Sequence, residues 1–138
     1  MDKYMVKTIK LCEKALKNKD IPVGCLIIKD NKIISKSYNK KYLLHDSTAH
    51  AEILAIRKAC KKLKTTHLED CTLYVTLEPC MMCTAAIIQS HIKKVVYCLK
   101  SPKYGHLLKE AKNNKIECIQ MYDGKYEKTL KDFFIDKR

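Results

Sequence analysis

The sequence predicts an α/β fold, a three-layer α/β/α sandwich on a central mixed five-stranded sheet, and three observations carry that prediction. Apolar residues recur at helical spacing near the start, at Met5, Ile9, Cys12 and Leu16, and the segments that follow are short, β-branched and bounded by turn residues. Helical and extended patterns then alternate to the end of the chain, the order that places helices on the faces of a sheet. One strand–helix–strand unit, from Cys71 to Leu99, has the length of a parallel crossover, whereas an earlier strand pair is joined by a tight turn and is antiparallel. The 138 residues are expected to form one domain, 1–138, able to bury a core without staples.

The first helix is predicted over residues 3 to 18. After a break at Asn18 to Pro22, Val23 to Ile28 is a strand, Asp30-Asn31 a tight turn, and Ile33 to Tyr38 the second arm of a hairpin. Asn39 to Thr48 is a polar loop. Thr48 is placed to cap a helix from Ala49 through Lys62 that turns Ile53, Ile56 and Cys60 inward, with His50 and Glu52 in its first turn. A polar connection leads to the strand Cys71 to Thr76, which runs into Leu77-Glu78-Pro79. Cys80 opens the next helix, carrying Ala85, Ala86, Ile87 and Ile88 to near His91, and Val95 to Leu99 is a buried strand. A loop at Ser101 to Gly105, a short helix at Leu107 to Lys112, a strand at Ile116 to Met121 and a helix at Lys125 to Asp136 complete the chain. Internal repeats and low-complexity tracts are absent.

Composition narrows the function. No run of about 18 apolar residues occurs, and Met1-Asp2-Lys3-Tyr4 does not open a secretory signal, so a cytoplasmic protein with no membrane span is expected. In that setting Cys12, Cys25, Cys60, Cys71, Cys98 and Cys118 are expected to be reduced and mostly buried, as small hydrophobes. The net charge of +13 favours a polyanionic partner such as nucleic acid, because each phosphate neutralised releases counterions. Only Arg57 and Arg138 are arginines, so a lysine-rich solvated surface is the plain alternative.

The chemistry gathers in two short signals, His50-Ala51-Glu52 and Glu78-Pro79-Cys80-Met81-Met82-Cys83. Cys80 and Cys83, at i and i+3 of a helix start, lie on one side of its first turn, and the positive dipole end favours their thiolates. His50 comes from the start of another helix. Three protein donors leave the fourth position of a zinc ion open for water, as catalytic sites require; His45, Cys71 and His91 lack the spacing to close it. Glu52 diverges from His50 around the helix and suits a proton shuttle better than a ligand. Alone, Cys80-x-x-Cys83 would fit a dithiol redox pair equally well; the joint pattern favours zinc.

Those two signals resemble the cytidine and deoxycytidylate deaminase superfamily, whose signature, mechanism and tRNA-acting member are an established example of zinc deamination. Pro22-Val23-Gly24, Thr48 to Ile53, Thr72 to Cys80 and Asp132-Phe133-Phe134 look like its tRNA adenosine deaminase branch, and the similarity spans residues 3 to 138. The resemblance implies a cytidine deaminase-like fold, one zinc per subunit held by His50, Cys80 and Cys83, and Glu52 moving a proton from water to adenine N1. It further implies inosine at the first anticodon position of a tRNA, contacts from Asn39, the Ala51 backbone and Phe134 to the flipped nucleotide, a bound anticodon stem-loop and a homodimer. Asn39 is otherwise a turn residue, and of Phe133 and Phe134 one is expected inside and the other out. Ser35, Ser37, Ser47 and the stretch Ser101 to Leu107 depart from the family pattern. A deaminase of a free base or nucleotide, a dithiol oxidoreductase and a noncatalytic zinc-stabilised RNA-binding subunit are the competing readings.

Overall fold

In the computed structural model, which describes residues 2–136, the elements follow the predicted order. They are α1 (Lys3–Lys10), α2 (Cys12–Lys17), β1 (Gly24–Lys29), β2 (Lys32–Tyr38), α3 (Ala51–Leu63), β3 (Thr72–Leu77), α4 (Met81–Gln89), β4 (Lys94–Leu99), α5 (Leu107–Glu110), β5 (Glu117–Gln120) and α6 (Gly124–Asp136). The Lys137-Arg138 ending of the sequence lies outside the described residues. The sheet order is β2-β1-β3-β4-β5. β1 runs antiparallel to β2 and β3, and β3, β4 and β5 run parallel, so the expected mixed five-stranded sheet is borne out.

Strand alternation divides the core into two layers. Cys25, Ile27, Leu73, Val75, Val95 and Tyr97 face one side and pack against α3, α4 and α5, while Leu26, Ile28, Tyr74, Val96 and Cys98 face the other, with Met5, Cys12, Tyr126 and Leu130 of the remaining helices. The hairpin turn forms at Asp30 and Asn31, both left-handed at φ 51 and 60, the geometry that matches the twist of the flanking strands.

Three sequence expectations are corrected. The first helix is interrupted at Leu11, and its inner stripe is Met5, Thr8, Cys12 and Ala15, with Leu16 exposed. Thr48 does not cap α3: its N–H and hydroxyl both donate to Asp46 Oδ1, at 2.8 and 2.7 Å, so the helix starts two residues later, with His50 as its N-cap. The inner face of α3 is Ala51, Ala55, Ile56 and Ala59, with Ile53 and Cys60 only part-buried. Alanines let the helix axis approach the sheet so closely that the Ser35 hydroxyl donates to the Ala55 carbonyl at 2.8 Å.

On the opposite face, Gly24 fixes the approach of α1. A Cβ there would collide with the Thr8 carbonyl, which is backbone and cannot move aside. The Gly24→Ala variant should therefore lose about 1–3 kcal/mol or more of stability, read as a lower urea midpoint at unchanged m-value.

Candidate active site

The N-termini of α3 and α4 meet beside the carboxyl end of β3, and each is capped by a residue whose side chain is withheld from the helix amides. His50 and Cys80 occupy the two N-cap positions in extended conformation, and neither side chain makes a capping bond. Both are turned instead toward a common point. His50 Nδ1 lies 3.7 Å from Cys80 Sγ and 3.5 Å from Cys83 Sγ. A tetrahedral zinc with ordinary bonds to nitrogen and sulfur sets those atoms about 3.6 Å apart. The three donor atoms all lie within 4.8 Å of one another, and they form the one such cluster among the described residues. The donor set therefore fits a zinc ion, with Nδ1 as the ligating nitrogen, a detail the sequence does not carry.

Electrostatics within the donor cluster agree with that role. The Cys83 thiol donates to Cys80, and His50 adds a second bond, holding Cys80 down to about 3; Cys83 moves upward because ionising would lose the bond it makes and because it is buried. The bond to Cys80 likewise raises His50. The pair thus retains one proton, which a divalent cation displaces. Glu52 is only 4% exposed, and burial pushes its carboxyl up to about 7, with His50, Cys80 and Cys83 in interaction range. It is outside the donor cluster, as expected of a residue that serves the reacting atoms.

Above these groups opens a cavity of about 920 Å3. The other predicted site residues converge on its wall: Asn39, Ala51 and Phe134 line it together with His50, Glu52 and Cys80. Phe133 is buried at 9% exposure and Phe134 is 49% exposed, so the expected division of the pair holds. Asn39 is also a turn residue, its Oδ1 accepting from the Lys41 N–H at 3.2 Å and its Nδ2 donating to the Ile21 carbonyl at 3.4 Å. Lys41, Lys100, Lys103 and Lys131 also line the wall, Lys131 paired with Glu127 at 3.6 Å.

Two buried carboxylates that shape the wall escaped the sequence reading. Asp20 accepts from the N–H groups of Tyr42 and Leu43, at 2.9 and 3.4 Å, and fixes the loop after Asn39. Glu78 accepts from the N–H groups of Ser101 and Leu108, at 3.2 and 3.1 Å, and fixes the loop between β4 and α5. Their partners are backbone amides distant in the chain, which no local pattern reveals. The signal available for Glu78 was its adjacency to Pro79-Cys80.

Such a donor cluster at paired helix starts, on this sheet, defines a class of enzyme, and the chain belongs to the MafB19-like deaminase family, which matches residues 1–138. Within that class it is 46% identical over 103 residues to the tRNA-specific adenosine deaminase of Aquifex aeolicus (strain VF5), covering 74% of this chain and 68% of that one. The tRNA-specific adenosine deaminase of Buchnera aphidicola subsp. Schizaphis graminum (strain Sg) is 37% identical over 145 aligned positions, covering 99% and 96% of the two chains. A solved structure from a study of A-to-I editing by tRNA:A34 deaminases at the wobble position of transfer RNA superposes with TM-score 0.78 at 32% identity, over 86% of this chain and 96% of that one. The guanine deaminase from Bacillus subtilis superposes with TM-score 0.67 at 38% identity, over 72% and 66%. The resemblance read from His50-Ala51-Glu52 and Pro79 to Cys83 is borne out.

A chemical probe tests the cluster directly. In zinc-loaded protein Cys80 and Cys83 should resist iodoacetamide; after chelation Cys80 should be alkylated first, by peptide mapping, and the melting temperature should fall as ligand binding free energy is withdrawn. Equal labelling of Cys80 with and without metal would count against the donor assignment.

Proposed function

We propose that the protein hydrolytically deaminates adenosine to inosine at the first anticodon position of a tRNA. The observation that carries this reading is a buried, elevated carboxyl, Glu52, set beside the His50, Cys80 and Cys83 donors in a cavity with lysines on its wall. Zinc held by those three residues would supply the Lewis acidity that makes water a nucleophile near neutral pH. Glu52 accepts a proton from the attacking water and delivers it to adenine N1 while the water oxygen bonds to C6. The same carboxyl then carries the remaining hydroxyl proton to the amino group, which leaves as ammonia. Water is consumed, and inosine and ammonia are released. A carboxyl that burial raises above its ordinary value suits a group that must accept and then donate.

Asn39 keeps one donor and one acceptor site beyond its turn bonds and can hold the nucleotide; the Ala51 backbone reads the base edge and Phe134 packs on it. A cavity near the upper end of the range of about 300–1,000 Å3 for small-molecule sites favours a nucleotide with its backbone over a lone base. Likeness to a guanine deaminase supports the second reading, a free base or nucleotide as substrate. A tRNA substrate supports a cytoplasmic location, and no helix among the described residues is long and apolar enough to cross a membrane.

The active form is a homodimer. α4, MMCTAAIIQ, carries no charge, yet its outward side is uncovered, with Met81 67% exposed and Ala85 exposed. An apolar, uncharged helix face beside an active site is suited to a second copy of the chain. Ala85→Glu costs the monomer little and should shift the mass by light scattering from two chains to one.

Purified zinc-loaded protein should convert adenosine to inosine at that one anticodon position, read by sequencing, with guanine and deoxycytidylate inert. Ammonia from guanine or deoxycytidylate alone would move the protein to the second reading. Glu52→Gln should lower kcat by about 100- to 10,000-fold while zinc content is retained, and full activity would remove Glu52 from the reaction. Binding should weaken steeply with salt, by a log–log slope of about −0.7 per phosphate contacted, and a flat response would exclude the lysines as phosphate contacts.

A further inference from the structure

The loop between β4 and α5 holds an aromatic ring at the cavity wall in a way that neither the zinc chemistry nor the core explains. Tyr104 lines the cavity and is 68% exposed, whereas the other lining aromatic, Phe134, comes from α6. The loop that carries it is rigid. Glu78, buried at the end of β3, binds the backbone N–H groups at both ends of the loop, Ser101 and Leu108. The Gly105 N–H donates to the Ser101 carbonyl at 2.8 Å, and the His106 N–H donates to the Pro79 carbonyl at 2.9 Å, one residue before Cys80. Gly105 lies so close to the Glu78 carboxylate that a Cβ would collide with it. The backbone that carries the ring is therefore held by the same short segment that carries the metal donor, so placing the loop at binding costs little entropy.

We propose that Tyr104 is the stacking platform for an unpaired base next to the target nucleotide, and so contributes to how tightly the enzyme holds the RNA whatever that base is. This rests on the RNA reading of the site. The target base must reach Glu52, which is almost fully buried, so a ring left two-thirds exposed serves a nucleotide that stays outside. Its face suits a base: stacking on an aromatic tolerates sequence and uses no hydrogen bond, and no hydrogen-bond partner for the Tyr104 hydroxyl is found among the described residues. Lys103 Nζ lies over one face of the ring, 5.3 Å from its centroid, and Lys100 lines the same wall, so cations are available to the phosphates flanking a base stacked on the ring.

The test uses full-length zinc-loaded protein and anticodon stem-loop RNA, either intact or abasic at the position immediately 5′ or 3′ of the target. Tyr104→Ala should raise KM about tenfold while kcat changes by less than about twofold, and Tyr104→Phe should stay within about twofold of wild type. One of the two abasic RNAs should bind wild type about tenfold more weakly than intact RNA, yet bind Tyr104→Ala no more weakly than intact RNA does. The salt slope should be the same for both proteins, because no phosphate contact is lost. Equal KM values for wild type and Tyr104→Ala, or abasic and Tyr104→Ala losses that multiply, would overturn the assignment. Those outcomes leave the wobble reaction standing; a wild-type protein that makes no inosine in intact tRNA would instead sink the functional reading itself.

Discussion

The site depends on one constraint: two helices must begin at the same place, and their capping side chains must be released for another task. An N-cap serine, threonine, aspartate or asparagine satisfies an orphan amide and stabilises its helix by about 1 kcal/mol. α3 and α4 forgo that bond, since His50 and Cys80 stand at the caps with their side chains directed at each other. The positive ends of both helices then converge on the thiolates, which offsets part of the loss and lowers the cost of ionising the sulfurs. The alanine face of α3 sets how close the helix lies to the sheet, and Pro79 and the parallel step from β3 to β4 set where α4 starts. Moving either helix by one residue would take a donor out of the cluster.

Much of this was legible because the pattern is local. Hydrophobic alternation gave the strands, Asp30-Asn31 gave the hairpin, and the spacing of Cys80 and Cys83 placed two sulfurs on one turn. Errors arose where two local rules competed. Thr48 reads as a cap, but Asp46 offers its hydroxyl a closer partner, and the cap passes to His50. Ile53 and Cys60 read as the inner face of α3, but a helix lying this near a sheet buries its alanines, and the larger side chains move to the flank. The loop-anchoring roles of Glu78 and Asp20 were not legible, since they lie in amides 22 to 30 residues away.

Two groups within the lysine excess have different physics. Some lysines line the cavity, where they would meet phosphates. Others gather at β2, which is an edge strand with unpaired backbone groups. There Lys58 reaches from α3 to donate to the Lys36 carbonyl at 3.0 Å, and burial together with Lys40, Lys14 and Lys36 pulls its ammonium below the ordinary lysine range. Positive charge along an open edge blocks pairing with another chain, so this group protects the fold. Net charge alone therefore overstates the nucleic-acid surface; only lysines near the cavity belong in that account.

Among the described residues of this strongly basic chain three carboxylates are buried, and their partners separate structure from chemistry. Asp20 and Glu78 each accept two backbone N–H bonds from another segment, so burial is compensated and each holds a loop in place. Glu52 has no such clamp from another segment. Its surroundings are the side chains of His50, Cys80 and Cys83, and burial pushes its carboxyl up to about 7. Its bonds come from its own backbone N–H and from Cys83, so burial is only partly compensated, and the fold keeps the carboxyl where it faces the three donors. That contrast, more than the motif, supports the proposed role of Glu52 as the proton carrier, with the other two as the frame around it.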